Sequence, residues 1–300
     1  MSDIRPFRSG YAAIIGKTNV GKSSILNALV GEKVAIVTRK PETTRDRILG
    51  ILTRPDAQVV FVDTPGIHKP RNLLGKSMTR TAKEALDEVD TVVFVIDAKG
   101  GIGHVEAIIF DLLKKCPVPI ILAINKADLV KKPKLLPLID QASKLCGFKE
   151  IIPTSVVNGD NMDVLLEKII ENLPEGPKYF PSDQLTDKNA RFMAAELIRE
   201  KVLFAMRQEI PHSVAVVIEE FKEREEKKKN YYIRALIYVE KVSQKKIVIG
   251  KKGQMLKTIG SNARKDIERF LRRSVFLELW VKVCENWRND AAMLRQMRQE

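Results

Sequence analysis

The sequence predicts a two-domain chain: an α/β domain with a mostly parallel sheet flanked by helices, then a smaller α+β domain. Three observations predict it. Residues 16–23, Gly-Lys-Thr-Asn-Val-Gly-Lys-Ser, lie between an apolar run at 11–15 and a helix-forming run at 24–30, and match G-x-x-x-x-G-K-[ST]. Residues 10–172 alternate apolar strands with amphipathic segments, the pattern of a parallel sheet covered by helices. Pro174, Gly176, Pro177 and Pro181 then cluster, a composition that breaks regular structure, and the charge balance changes beyond them.

The first strand, 11–15, runs into the glycine loop and a helix closed by Gly31 in C-cap position. Further strands are expected at 48–53, 58–62, 91–97, 120–124 and 150–153. The gap between 48–53 and 58–62 is too short for a parallel crossover, so these two should form a hairpin. Helices are expected at 76–88, 105–115, 135–145 and 162–173. The domain boundaries that follow are 1–175, a Pro/Gly-rich linker at 176–187, and 188–300. The second domain opens with a helix at 189–208, whose Phe192, Ala195, Leu203 and Met206 fall near helical spacing. Strands at 214–221 and 231–240 follow, joined by a charged stretch at 222–230 expected to be a solvated hairpin loop. After Gly250-Lys251-Lys252-Gly253 come a helix at 254–271, a strand at 275–283 and a terminal helix at 288–298.

With 300 residues, each domain can bury its own core. The formal net charge of +14 is uneven: residues 1–180 hold 26 basic and 21 acidic side chains, residues 181–300 hold 26 and 17. A basic second half points to a polyanion, either nucleic acid or an anionic membrane surface. Cys116, Cys146 and Cys284 lack metal-ligand spacing and read as apolar fillers in a reducing compartment. His68, His104 and His212 are isolated, and Trp280 and Trp287 read as packing residues. No signal-peptide run and no long apolar span is present, so a soluble, cytoplasmic protein is expected.

The loop from Gly16 through Lys17, Thr18, Asn19, Val20 and Gly21 to Lys22, Ser23 and Ser24 places backbone N–H groups and a helix N-terminus around phosphates. Lys22 would reach the β- and γ-phosphates, and the Ser23 hydroxyl would bind Mg²⁺. Asp63-Thr64-Pro65-Gly66 follows a strand, so the Asp63 carboxylate would sit beside that loop to hold a water on the metal, and the Gly66 N–H would meet the γ-phosphate. Asn125-Lys126-Ala127-Asp128 separates bases: the Asp128 carboxylate accepts from guanine N1–H and the 2-amino group, a pairing adenine lacks. In Pro41-Glu42-Thr43-Thr44-Arg45 a threonine would bind Mg²⁺ only while γ-phosphate is present, with Thr44 favoured over Thr43. Ser155-Val156 lies after a strand, where a backbone N–H would contact the guanine oxygen. Lys22, Thr44 and Gly66 are thus the expected catalytic groups, and Ser23, Thr44 and Asp63 the expected metal residues.

This order of motifs resembles the Era family of TRAFAC-class GTPases. The resemblance implies a P-loop GTPase domain using GTP/GDP and Mg²⁺. Ile67 follows Gly66 where Ras-like enzymes orient the attacking water with glutamine, so slow hydrolysis is implied. Relatives of the group can bind K⁺ through a phosphate-loop asparagine, and Asn19 matches that position. The motif usually written Ser-Ala reads Ser155-Val156-Val157 here.

Residues 247–260, Ile-Val-Ile-Gly-Lys-Lys-Gly-Gln-Met-Leu-Lys-Thr-Ile-Gly, resemble a KH domain, and the element order resembles its type II form. Between Lys241 and Lys265 there are eight basic residues and no acidic one. The expected RNA-binding residues are Lys245, Lys246, Ile249, Gly250, Lys251, Lys252, Gly253 and Lys257. A GTPase domain ahead of a type II KH domain implies binding to the 3′ end of small-subunit (16S) ribosomal RNA and the 30S subunit during ribosome assembly, with GTP state controlling RNA engagement. It also implies a monomer that does not bind DNA, in peripheral association with the cytoplasmic face of the membrane. The alternative is a GTP-dependent membrane regulator whose basic second domain docks on anionic lipid.

Overall fold

The computed structural model describes residues 6–40, 42–67, 72–206, 213–224 and 230–298. The chain passes from a first compact unit to a second between Asp187 and Lys188, and the segments 36–40 and 72–74 count with the second.

In the first unit, β1 (Arg8–Gly16), β3 (Ala57–Asp63), β4 (Thr91–Asp97), β5 (Ile120–Asn125) and β6 (Glu150–Pro153) run parallel. β2 (Ile48–Thr53) pairs antiparallel with β3, as the short turn between them requires. The sheet order is β2-β3-β1-β4-β5-β6. Both faces of the central strands are buried, which is why they read as unbroken apolar runs rather than as alternating ones. The helices are α1 (Lys22–Val30), α2 (Leu73–Glu84), α3 (His104–Leu113), α4 (Lys132–Ser143) and α5 (Met162–Glu171). Ile109, Phe110 and Leu138 of α3 and α4 pack on Ile15, Phe94, Ile96 and Leu122. Their strand neighbours Ile14, Val93, Val95 and Ile121 point to the opposite face, where α1 and α5 lie on the strands. β1 is flanked by β3 on one side and β4 on the other, so the order reverses there. In open α/β sheets this switch point opens the crevice at the strands' carboxyl ends that takes a ligand. The 16–23 loop leaves β1 at that point.

Residues 176–187, read from composition as a linker, are bound along the edge of this sheet. The fully buried side chain of Gln58 accepts from the N–H groups of Tyr179 (2.7 Å) and Phe180 (3.0 Å) and donates to Phe180 O (2.8 Å). Ile51 N–H donates to Leu185 O at 2.8 Å, and Leu49 N–H to Asp187 Oδ1 at 2.9 Å. The segment thereby covers β2, whose unpaired edge would otherwise invite another strand. Prolines and glycines signal the lack of regular structure, but they do not report side-chain anchors supplied from 120 residues away. Gln58→Ala leaves two backbone N–H groups without their acceptor and is expected to cost about 2 kcal/mol or more. Urea unfolding and limited proteolysis check this: the midpoint should fall and cleavage within 176–187 should accelerate. An unchanged cleavage rate would refute the anchoring.

The second unit follows the order α6 (Ala190–Ala205), β7 (Ala215–Arg224), β8 (Asn230–Val239), α7 (Val242–Ile249), α8 (Gln254–Leu271), β9 (Val275–Val283) and α9 (Ala291–Arg298). β7 and β8 pair antiparallel, β8 and β9 parallel. α6 starts at the cap Asn189, whose side chain accepts from Phe192 N–H at 2.8 Å. Ile198 and Val202 of α6 and Ile259, Ala263 and Ile267 of α8 meet Ile233, Ala235, Ile237 and Val281 in one core. The 259, 263, 267 series is the i, i+4 stripe of a helix lying on a sheet. The expected loop at 222–230 is shorter than its charge suggested. Lys222, Glu223 and Arg224 continue the ladder opposite Tyr232, Tyr231 and Asn230, and the Arg224 guanidinium lies 4.7 Å from the Tyr232 ring centre. Trp287 is buried and donates to Ser213 O at 3.0 Å, whereas Trp280, expected to pack, is 55% exposed. His68 and His212 lie outside the described residues, as do 225–229.

Candidate functional site

The end of β1 and the start of α1 present the glycine loop. Lys22 is buried, and its ammonium donates to the carbonyls of Gly16 (3.2 Å) and Lys17 (3.0 Å). Three side chains from separate segments converge beside it. Ser23 Oγ donates to Asp63 Oδ2 at 2.6 Å and lies 2.9 Å from Thr44 Oγ1, which is itself 3.4 Å from Asp63 Oδ2. Thr44 is buried here and Thr43 only half-buried, so the geometry brings Thr44 to Ser23 and Asp63. Asp63 is fully buried at the end of β3, and its Oδ1 has no hydrogen-bond partner among the described residues. Two hydroxyls and a carboxylate with a spare oxygen are the hard donors that Mg²⁺ takes. The donor set fits that ion.

Thr64 Oγ1 donates to Ile14 O at 3.0 Å, and Ile67 N–H donates to Gly16 O at 3.1 Å, so residues 63–67 run directly beside the glycine loop. A Cβ on Gly66 would come within 2.8 Å of Thr18 N. The Ile67 side chain is buried in the core with Ala13 and Ile15.

At the ends of β5 and β6 the other motif closes on the same loop. Asn125 Nδ2 donates to Val20 O at 2.9 Å, and Lys126, in the left-handed region at φ 61°, donates to Asn19 O at 2.8 Å. Asp128 is exposed, and its Oδ1 accepts from Ser155 Oγ at 2.6 Å. Of the Ser155-Val156 pair, the Ser155 N–H donates to Asp160 O at 3.1 Å, which leaves Val156 as the residue whose N–H would meet the guanine oxygen. The Ser155 hydroxyl orients the Asp128 carboxylate. Asp97 was missed from sequence altogether, and its Oδ2 accepts from Lys126 Nζ at 2.6 Å. The signal was an acid closing an otherwise apolar strand.

In the second unit α7 and α8 are joined by Gly250–Gly253. Lys246, Lys251, Lys252 and Lys257 are exposed, Lys245 is half-buried, and Ile249 packs against the core. A cleft of about 480 Å³ opens beside Gly253 between α8 and β9. Lys257, Gly260, Ser261 and Arg264 line it on the helix, and Leu277 and Leu279 on the strand. Ser261 and Arg264 were legible as continuing the Lys257 face at i+4 and i+7. The leucines were not, because only strand pairing brings β9 there. Among the described residues no helix is long and apolar enough to cross a membrane.

A phosphate loop at the switch point of an α/β sheet, an exposed carboxylate set for guanine, and an α/β unit with a Gly-x-x-Gly turn define a P-loop GTPase carrying a KH domain. Comparison with known proteins agrees. The family described as 50S ribosome-binding GTPase matches residues 11–126, and the KH domain family matches residues 209–288. The chain is 47% identical to the GTPase Era of Ruminiclostridium cellulolyticum over 291 residues, 97% of each chain. Its structure is similar to that of Era in complex with MgGDPNP and nucleotides 1506–1542 of 16S ribosomal RNA, with TM-score 0.94 and 43% identity over 97% of this chain and 98% of that one. A variant of Aquifex aeolicus Era bound to GDP·AlF4⁻ gives TM-score 0.93 and 43% identity over 97% and 99% of the two chains. The protein belongs to the Era family of GTPases.

The buried Lys22–Asp63 pair is expected to make nucleotide binding depend on pH. Burial pulls Lys22 down to about 8, against the attraction of Asp63, which raises it. Burial likewise pushes Asp63 up, opposed by Lys22 and by the hydrogen bonds from Ser23 and Thr44. Because Lys22 is depressed from 10.5, its ammonium is expected to lose its proton in the nucleotide-free protein as pH rises through about 8. Phosphate binding requires that charge, so a proton is taken up on binding above this pH. GDP affinity should therefore fall between pH 8 and 10 by up to about tenfold per unit. Calorimetric titrations in buffers of different ionisation enthalpy measure the proton uptake. A GDP affinity independent of pH between 7 and 9.5 would refute it.

Proposed function

We propose that the protein is a GTP-controlled binder of the 3′ end of small-subunit ribosomal RNA that acts in assembly of the 30S subunit. The observation that carries the reading is the pairing, in one chain, of the guanine-nucleotide site with an open lysine-rich Gly-x-x-Gly cleft. The 43% identical Era bound to MgGDPNP and a 16S RNA fragment supports it. The chain's own residues account for each part. Lys22 and the N-terminus of α1 face the phosphates. Asp128, held by Ser155, accepts the guanine N1–H and 2-amino groups, and rejects adenine because it would be left unpaired. Ser23, Thr44 and Asp63 would hold Mg²⁺, which neutralises phosphate charge that develops in phosphoryl transfer. Ile67 is apolar and turned into the core, so it has no group with which to orient water, and intrinsic hydrolysis is slow. Lys126 takes the backbone carbonyl of Asn19 and not its side chain, so a K⁺ held by the Asn19 side chain beside the phosphates is compatible with this reading.

Gly250–Gly253 takes the RNA backbone with phosphates on Lys251, Lys252 and Lys257, and bases enter the cleft against Leu277 and Leu279. Thr44 is the residue through which γ-phosphate state reaches the rest of the chain. The setting that goes with this function is the cytoplasm. The test is RNA binding with GTP, with GDP and without nucleotide, using a 3′-terminal fragment of small-subunit RNA. Tighter binding with GTP supports control by nucleotide, and equal binding in all three states overturns it. Preference for anionic vesicles over RNA would overturn the RNA reading itself.

A further inference from the structure

Asp97 closes β4 directly opposite Asn125 in the β4–β5 register. Its two carboxylate oxygens do different things. Oδ1 accepts the N–H groups of Lys99 (2.9 Å) and Gly100 (3.2 Å), the bonds of an ordinary Asx turn. Among the described residues Oδ2 accepts only from the Lys126 ammonium, at 2.6 Å. A turn needs the first oxygen and not the second, so local backbone chemistry does not explain the ion pair. The pair is partly shielded, with side chains 33% and 25% exposed, and is fixed at both ends. Lys126 sits in the left-handed region at φ 61°, uncommon for lysine, and Asn19, whose carbonyl shares its ammonium, does so at φ 64°. Lys126 is therefore a bridge between two left-handed residues, one in the base motif and one in the phosphate loop, and Asp97 is its anchor.

We propose that Asp97 is a positioning residue for guanine-nucleotide binding: by holding the Lys126 ammonium against Asn19 O, it locks the base motif to the phosphate loop in a nucleotide-ready geometry. Among the described residues Asp97 bonds to Lys99, Gly100 and Lys126 and to none of Ser23, Thr44 and Asp63, so it acts through Lys126. The inference rests on the guanine-nucleotide reading of the site. Burial pushes the Asp97 carboxyl up, and the bonds from Lys126, Lys99 and Gly100 more than reverse this, so the group stays ionised at neutral pH. Asp97→Asn keeps the Asx-turn oxygen and removes the charge that holds the lysine. Because the bridge lies away from Ser23, Thr44 and Asp63, its loss should weaken GDP and GTP alike, leaving turnover at saturating GTP unchanged.

The experiment measures GDP and GTP affinity, GDP release rate and kcat for the full chain, Asp97→Asn, Lys126→Ala and the double variant. Expected are affinity lost about tenfold for both nucleotides in Asp97→Asn, correspondingly faster GDP release, and an unchanged kcat. The double variant should be no weaker than Lys126→Ala. Wild-type affinity in Asp97→Asn, or additive losses in the double variant, would overturn the proposal. A fall in kcat together with a lowered thermal midpoint of the nucleotide-free variant would also overturn it, since that is what a merely structural turn would produce. Failure of the wild-type chain to bind GDP would instead overturn the guanine reading beneath it.

Discussion

Gly253→Asp is expected to abolish RNA binding by about a hundredfold or more while leaving the KH fold and GTP turnover intact. The two glycines of the turn are not equivalent, and this selects the informative position. Gly250 has φ 72° and ψ 179°, a region open essentially to glycine alone, and a Cβ there would meet Met255 Cβ at 2.6 Å. A side chain at Gly250 would break the junction of α7 and α8, and lost binding would then report lost structure. Gly253 has φ 76° and ψ 6°, a left-handed conformation that aspartate tolerates at modest cost, and no heavy atom lies within 4 Å of a Cβ built there. The new carboxylate would stand at the mouth of the cleft that Lys257 lines, next in the chain to Lys251 and Lys252, repelling phosphate and filling the space the backbone needs. Circular dichroism and the thermal midpoint verify the fold, and filter or anisotropy titration reads the affinity. Retention of wild-type affinity would remove this turn from the RNA site.

Asp63→Asn is expected to reduce GTP turnover about a hundredfold and to raise the Mg²⁺ concentration needed for half-maximal rate, with the thermal midpoint displaced by only a few degrees. Asparagine keeps the shape and an acceptor for the Ser23 hydroxyl, so the packing at the end of β3 survives. What it removes is the charge. Asp63 is fully buried with Oδ1 lacking a partner among the described residues, and burial pushes its carboxyl up, so its ionised form is disfavoured in the free protein. A carboxylate set where burial works against its charge, with one oxygen left over, suits a bound cation rather than the stability of the fold. Phosphate release at varied Mg²⁺ and differential scanning fluorimetry separate the two effects. A large loss of stability with unchanged turnover per folded molecule would assign Asp63 to the fold instead.

Local pattern carried most of this protein. The strands at 48–53, 91–97, 150–153 and 275–283 were legible to the residue, because their ends coincide with turn-forming or charged residues that stop an apolar run. The 16–23, 63–66 and 125–128 motifs were legible because each depends on consecutive backbone positions, which sequence spacing preserves. Helix starts were less legible. α4 begins at Lys132, three residues before its first expected position, since Pro133 is accepted in the first helical turn even though it stops a helix elsewhere.

By itself, the sequence determined that a phosphate loop follows a buried strand, that guanine rather than adenine suits the base motif, and that the second domain offers a Gly-x-x-Gly turn set in positive charge. Tertiary structure alone decided which side chains share a space. Thr44, which the sequence only favoured over Thr43, meets Ser23 and Asp63, the Ser155 hydroxyl holds Asp128, Gln58 fastens a segment 120 residues later, and Asp97 anchors Lys126. The physical reason is common to all four. Contacts across the ends of parallel strands and along the sheet's edge depend on register and twist, and those are set by the packing of whole helices on both faces of the sheet. No short stretch of chain contains that information.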